Sequence, residues 1–137
     1  MLSIRSTMFA LPFVAISLIA QQSASQLTKN QFDGFKYMFA YLTRSDLELE
    51  PPADRMANIA SQFRLDEAEK VALQAAAEGY RQTVSAFVAE PTPQQAAQQV
   101  QARDKTIRSL AAIFLGQLST VRGQRILDHF EDPSRID

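Results

Sequence analysis

Three short strings constrain this chain more than any property of its composition. Thr28-Lys29-Asn30-Gln31, Asp66-Glu67-Ala68-Glu69 and Thr92-Pro93-Gln94-Gln95 each set an oxygen-bearing side chain three residues ahead of Gln or Glu. That is the spacing of a capping box, in which two otherwise unpaired backbone donors at a helix start are satisfied reciprocally. Pro51-Pro52 and Pro91 interrupt the segments between these starts, because proline lacks the N–H and restricts the residue before it. With only 4 Gly among 137 residues and no strand-like alternation, the expectation is an all-α protein.

The first helix is expected from Thr28 to about Thr43. Leu27 and Phe32 flank its cap as a hydrophobic staple. Phe32, Phe35, Phe39 and Leu42 form an apolar stripe, widened by Tyr37, Met38 and Tyr41. A band that wide implies more than one packing neighbour. Ser45 to Ala53 reads as a linker, and a short helix follows to Phe63. The Asp66 helix is expected to reach about Ala89, with Leu73, Ala76, Tyr80, Val84 and Phe87 facing inward. The Thr92 helix is expected to reach at least Leu118 through Val100, Asp104, Ile107, Ala111 and Phe114. Its middle should be the most buried stretch, since Leu110, Ile113 and Leu115 make it apolar nearly all round. Ser119 offers a second cap, so that a break near 118–120 and a continuous helix to Phe130 both remain open. The short connection near Pro91 forces an antiparallel hairpin. The whole is expected as a three- to four-helix antiparallel bundle with a long C-terminal helical hairpin.

Residues 1–25 are expected to be a signal peptide. Arg5 precedes the uncharged run Met8 to Ala20, after which the chain turns small and polar. The 13-residue run is short for a hydrocarbon core of ~30 Å, and cleavage is expected near Ser25. This leaves a single helical domain, 26–137, that is periplasmic or secreted and makes no stable membrane insertion once the signal is cleaved. Retention as an N-terminal anchor is the alternative. No Cys is present, which excludes thiol catalysis and zinc-thiolate sites. The formal charge of −1, with 14 basic and 15 acidic residues, argues against nucleic acid as a partner.

No catalytic, cofactor or metal constellation emerges. His129 is the only histidine and has Asp128, Glu131 and Asp132 beside it, which reads as solvated charge at a frayed end. Asp66, Glu67 and Glu69 suit the positive end of a helix dipole. Asp104 stands out because it falls on the apolar stripe. With the turn near 91–92, residues whose numbers sum to about 183 should lie level. Tyr80 then meets Asp104 as a structural polar pair, directly or with an Arg between them. The same pair marks an alternative reading, a small-ligand-binding protein or enzyme with a pocket near Asp104 and Tyr80. The aromatic set Phe32, Phe35, Tyr37, Phe39 and Tyr41 serves either as core or as a groove for a polypeptide client.

Leu27-Thr28-Lys29-Asn30-Gln31 resembles the LTxxQ signature of the Spy/CpxP group of bacterial periplasmic helical proteins. That similarity implies chaperone-like, envelope-stress-related client binding and a dimeric helical cradle. The body of the chain looks more like an uncharacterised secreted bacterial all-helical protein family. It shares Phe63 to Glu69, Arg103-Asp104-x-x-Ile107 and Arg125-Ile126-Leu127-Asp128-x-Phe130 with that family, which implies the fold and no residue roles. The expected function is a non-enzymatic exported helical protein that binds a protein or peptide client. A homodimer is compatible with it.

Overall fold

The computed structural model describes residues 27–44 and 51–132. The expected signal peptide, 1–25, and residues 45–50 of the expected linker lie outside the described residues. The fold is all-α, and its described part holds five helices: α1 Lys29–Thr43, α2 Pro52–Phe63, α3 Glu67–Ser85, α4 Pro93–Gly116 and α5 Thr120–Glu131.

All three capping boxes form. Thr28, Asp66 and Thr92 accept from the backbone N–H of Gln31, Glu69 and Gln95, whose side chains return the bond to the cap residue's N–H. Ser119 caps a separate helix by accepting from Arg122, so the last segment does break. α2 begins with Pro52 in its first turn and ends at Arg64, which takes the left-handed conformation (φ 55, ψ 46) usually filled by glycine.

α1 is central and touches each of the other four helices, which accounts for its wide aromatic band. Phe35 and Phe39 of α1, Leu73 of α3, Ile107 and Phe114 of α4 and Ile126 of α5 are fully enclosed. Phe130 packs edge-on against Phe35 at 5.0 Å and against Phe63 at 5.8 Å, which ties α1, α2 and α5 together. The Thr28 hydroxyl donates to the Glu131 carboxylate, and Asn30 Nδ2 lies 3.4 Å from the Glu131 carbonyl. The start of α1 is thereby fastened to the end of α5.

Two buried charged residues join elements. Arg55 of α2 donates from Nη1 to the Tyr41 carbonyl at 2.6 Å. A guanidinium thus meets the negative end of α1, where backbone acceptors lack helical partners. Glu69, in the first turn of α3, accepts from Arg122 of α5, and Asp66 Oδ2 lies 3.9 Å from the same guanidinium. A cation from another helix thus offsets the mutual repulsion of the two carboxylates.

Three expectations about the hairpin are corrected. α3 stops at Ser85 rather than Ala89. Thr83 and Ser85 bond their own helix's carbonyls, of Gly79 and Gln82, in a run of poor helix formers. The register also differs from the expected one. Gly79 packs on Leu110 and Thr83 Oγ1 lies 3.5 Å from Thr106 Oγ1, so level residues sum to about 189. The connection 86–92 advances faster per residue than a helix's ~1.5 Å, so it runs back beside the start of α4 and shifts the pairing. Finally, Val100 and Ile113 are exposed rather than inward-facing, since the core face of α4 is confined to Ile107, Ala111, Ala112 and Phe114.

Candidate functional site

The five aromatics of the first helix do not form a groove. Phe35 and Phe39 are core and cannot meet a client. Phe32 is half-buried beneath the Arg108 guanidinium, 4.7 Å from its ring centre. Tyr41 is half-buried and its hydroxyl accepts from Asn58 at 3.3 Å. Tyr37 is 70% exposed and points elsewhere. A helix with four neighbours spends its aromatics on several interfaces, which the sequence pattern alone does not separate from a binding face.

Tyr80 and Asp104 are neighbours in field but not in a hydrogen bond. Tyr80 is buried with its ring 5.9 Å from Phe39. The register places it level with Ser109, below Asp104. Burial pushes its phenol above the ordinary value, Arg103 draws it back down and Asp104 pushes it up. Asp104 is 38% exposed and accepts from Arg103 Nε and Nη2, both at 3.3 Å. The expected inward carboxylate is therefore a half-exposed one paired with its own neighbour.

A cleft of about 640 Å³ does exist, but neither Tyr80 nor Asp104 lines it. It lies between the end of α1, the start of α2 and the middle of α3, bounded by Leu42, Met56, Ala77, Glu78 and Arg81 among others. Several of its polar groups are engaged in the fold. Arg81 Nε donates to Glu78 at 2.9 Å, the Thr43 hydroxyl donates to the Phe39 carbonyl at 2.8 Å, and Arg55 holds the end of α1. Among its described residues none pairs a nucleophile with a base.

His129 belongs to a regular helix rather than a frayed end. Its ring stands edge-on to Phe63 at 5.4 Å and its Nε2 lies 3.1 Å from Gln62 Nε2. Among the described residues no three His, Cys, Asp or Glu side chains converge as a metal site would require. Nor is any described helix long and apolar enough to cross a membrane.

The feature that sequence reasoning missed is the far half of the hairpin. From Arg81 to Thr106 no residue is buried. α1 covers the hairpin only below this level, where Phe39 meets Tyr80 and Phe32 meets Arg108. What extends beyond is an arm made of the end of α3, the connection and the first half of the 24-residue α4. It exposes Val84 (36%), Val88 (48%) and Val100 (47%), with Phe87 half-buried among the neighbouring residues. The Val88 N–H donates to Gln99 Oε1 at 2.7 Å, which holds the connection against α4. One signal was in view. From Gln82 to Ala102 the sequence carries a single charged residue, Glu90, in a chain that is 21% charged.

No family model, curated protein or solved structure matches the chain. The functional reading therefore rests on its own geometry.

Proposed function

We propose that this chain is a non-enzymatic, exported helical protein that binds another polypeptide in a chaperone-like or envelope-stress-related role, and that the contact surface is the hairpin arm. The observation that carries the reading is the arm itself. It is a projecting two-helix element with no buried residue over Arg81 to Thr106 and with valines exposed along it. The arm extends beyond the core, is nearly uncharged and leaves three valines open, and exposed apolar surface of this kind is what polypeptide contacts use. The engagement of Thr43, Arg55, Glu78 and Arg81 of the cleft in the fold favours this reading over a small-ligand enzyme.

The test is suppression of aggregation by the mature chain. At near-stoichiometric amounts it should keep an unfolding client in solution, and a Val84→Asp/Val88→Asp/Val100→Asp variant should not. Lack of suppression at several-fold excess removes the chaperone role. Unchanged suppression by the triple variant moves the contact away from the arm.

A further inference from the structure

We propose that the hairpin arm is a closure that opens. The end of α3 and the connection, residues 82–92, form a strap laid on a rigid α4, and the strap detaches while the core stays folded. Opening is a property of the arm itself, whatever the arm binds.

The two helices of the hairpin meet along one seam with alternating three- and four-residue spacing. Along it α4 half-buries Ala96, Gln99, Arg103, Thr106 and Leu110. α3 contributes Leu73, Ala76 and Tyr80, all buried, and then the half-buried Thr83. Half-buried Phe87 keeps the same spacing just past the helix end. This is the spacing of paired helices, whose cohesion comes from apolar side chains at those positions. The seam changes character at one level. Leu73, Ala76, Tyr80 and Leu110 belong to the core or pack against it. Beyond them stand Thr83, Thr106, Arg103 and Gln99, and polar residues at seam positions fix register at a cost in stability.

Few bonds cross this outer seam. The Thr106 hydroxyl donates to Thr83 Oγ1 at 3.5 Å, the far limit of a hydrogen bond. The Thr83 hydroxyl donates to the Gly79 carbonyl of its own helix at 3.2 Å. Arg103 pairs with Asp104 on its own helix. The fastenings of the strap are the half-buried Phe87 and the 2.7 Å bond from the Val88 N–H to Gln99 Oε1.

The two sides also differ in how well each holds a helix alone. α4 starts with a capping box and carries Ala, Gln, Arg and Lys through its outer half. α3 ends in Thr83, Val84 and Ser85, which are poor helix formers. A short helix end of that kind, without buried apolar surface, opens at little cost. The strap therefore leaves and α4 remains a rod. Opening releases Phe87, the largest apolar side chain of the arm, to solvent.

Hydrogen exchange of the mature chain, read by mass spectrometry without any client, tests this. Amides of residues 82–86 should exchange about a hundredfold faster than those of Leu73 to Tyr80, and about tenfold faster than those of the outer half of α4. Thr83→Leu/Thr106→Leu makes the seam apolar and should slow exchange in the strap by about tenfold. Phe87→Ala should speed it several-fold and leave exchange in the core at the parent rate. Protection of residues 82–86 equal to that of Leu73 to Tyr80 overturns the opening. A common rate for the strap and the outer half of α4 overturns the strap, since the arm then melts as one piece. A folded double variant whose strap exchanges as the parent's does overturns the polar seam as the cause. Should that variant not fold, Phe87→Ala decides, and an unchanged strap there overturns the proposal.

Discussion

The ring of Phe130 occupies the space that a Cβ on Gly34 would need. A methyl built there falls well inside van der Waals contact with three of the ring carbons. Gly34 sits mid-helix in α1, where alanine would ordinarily be preferred by about 1 kcal/mol. The glycine is what lets α5 lay Phe130 against Phe35 and Phe63. Gly34→Ala should therefore destabilise the fold by ~1–3 kcal/mol despite its better helix propensity, the usual cost of overpacking. Combining it with Phe130→Leu should cost less than the separate changes added together, as read by urea unfolding. A Gly34→Ala protein at least as stable as its parent would mean that the ring has another place to go.

The contact of Arg122 with Glu69 makes a second coupled pair. Arg122→Met leaves a buried carboxylate whose only remaining bonds are those of the α3 cap. The expected loss is ~2–3 kcal/mol, below the full range for a broken buried pair because Arg122 is itself partly exposed. Adding Glu69→Gln should recover part of it. Equal loss in the single and double variants would show that Glu69 contributes only as a cap.

The raised phenol of Tyr80 gives a prediction in pH. The folded chain holds this proton more tightly than the unfolded chain. Its contribution is complete below the ordinary tyrosine value of about 10, and is lost as pH rises from there through the higher folded value. Unfolding titrations at about pH 8, 9, 10 and 11 should show the parent losing stability relative to Tyr80→Phe only at the upper end. A parallel decline in both proteins would assign the alkaline loss to other groups. Asp104→Ala should cost under ~1 kcal/mol, as its half-exposed pair with Arg103 is a surface one.

Arg64 offers a stabilising change. Its left-handed backbone costs an L-residue ~1–2 kcal/mol, of which glycine gives back ~0.5–1 through its freer unfolded state. Arg64→Gly should therefore raise stability by about 0.5–1 kcal/mol, visible as a higher melting temperature. No gain would indicate that the Arg64 side chain contributes contacts of its own.

The helix starts were legible because capping is local. Thr28, Asp66, Thr92 and Ser119 each act on a residue three positions ahead, and all four do so. The end of α3 left a local mark, the poor helix formers Thr83 to Ser85, but the apolar spacing that continues through Val84 to Phe87 masked it. Val100 was misplaced for a non-local reason, since its helical spacing is right for an inward face but α1 does not reach its level. Arg55, Gly34 and Arg122 were invisible for a related reason, as each is fixed by a residue from another helix. The aromatic band of α1 correctly implied more than one neighbour, but it did not separate core from display, since enclosure by four helices and presentation to a client leave the same pattern. The neutral run from Gln82 to Ala102 was the one sequence mark of the arm, and it is compositional rather than periodic.

The bonds from Thr28 and Asn30 to Glu131 bring residues about a hundred positions apart in sequence together. In circular order the described fold is nearly a closed ring, and the place where its backbone is cut is a matter of convenience more than of architecture. A circular permutant that joins residue 131 to residue 28 through a short glycine-rich bridge, and begins at Glu90 in the exposed connection, should keep its helix content and cooperative unfolding. Its arm would then end in two free strands of chain at the tip. Comparing its client binding with that of the parent would separate what the arm's surface contributes from what its covalent closure contributes.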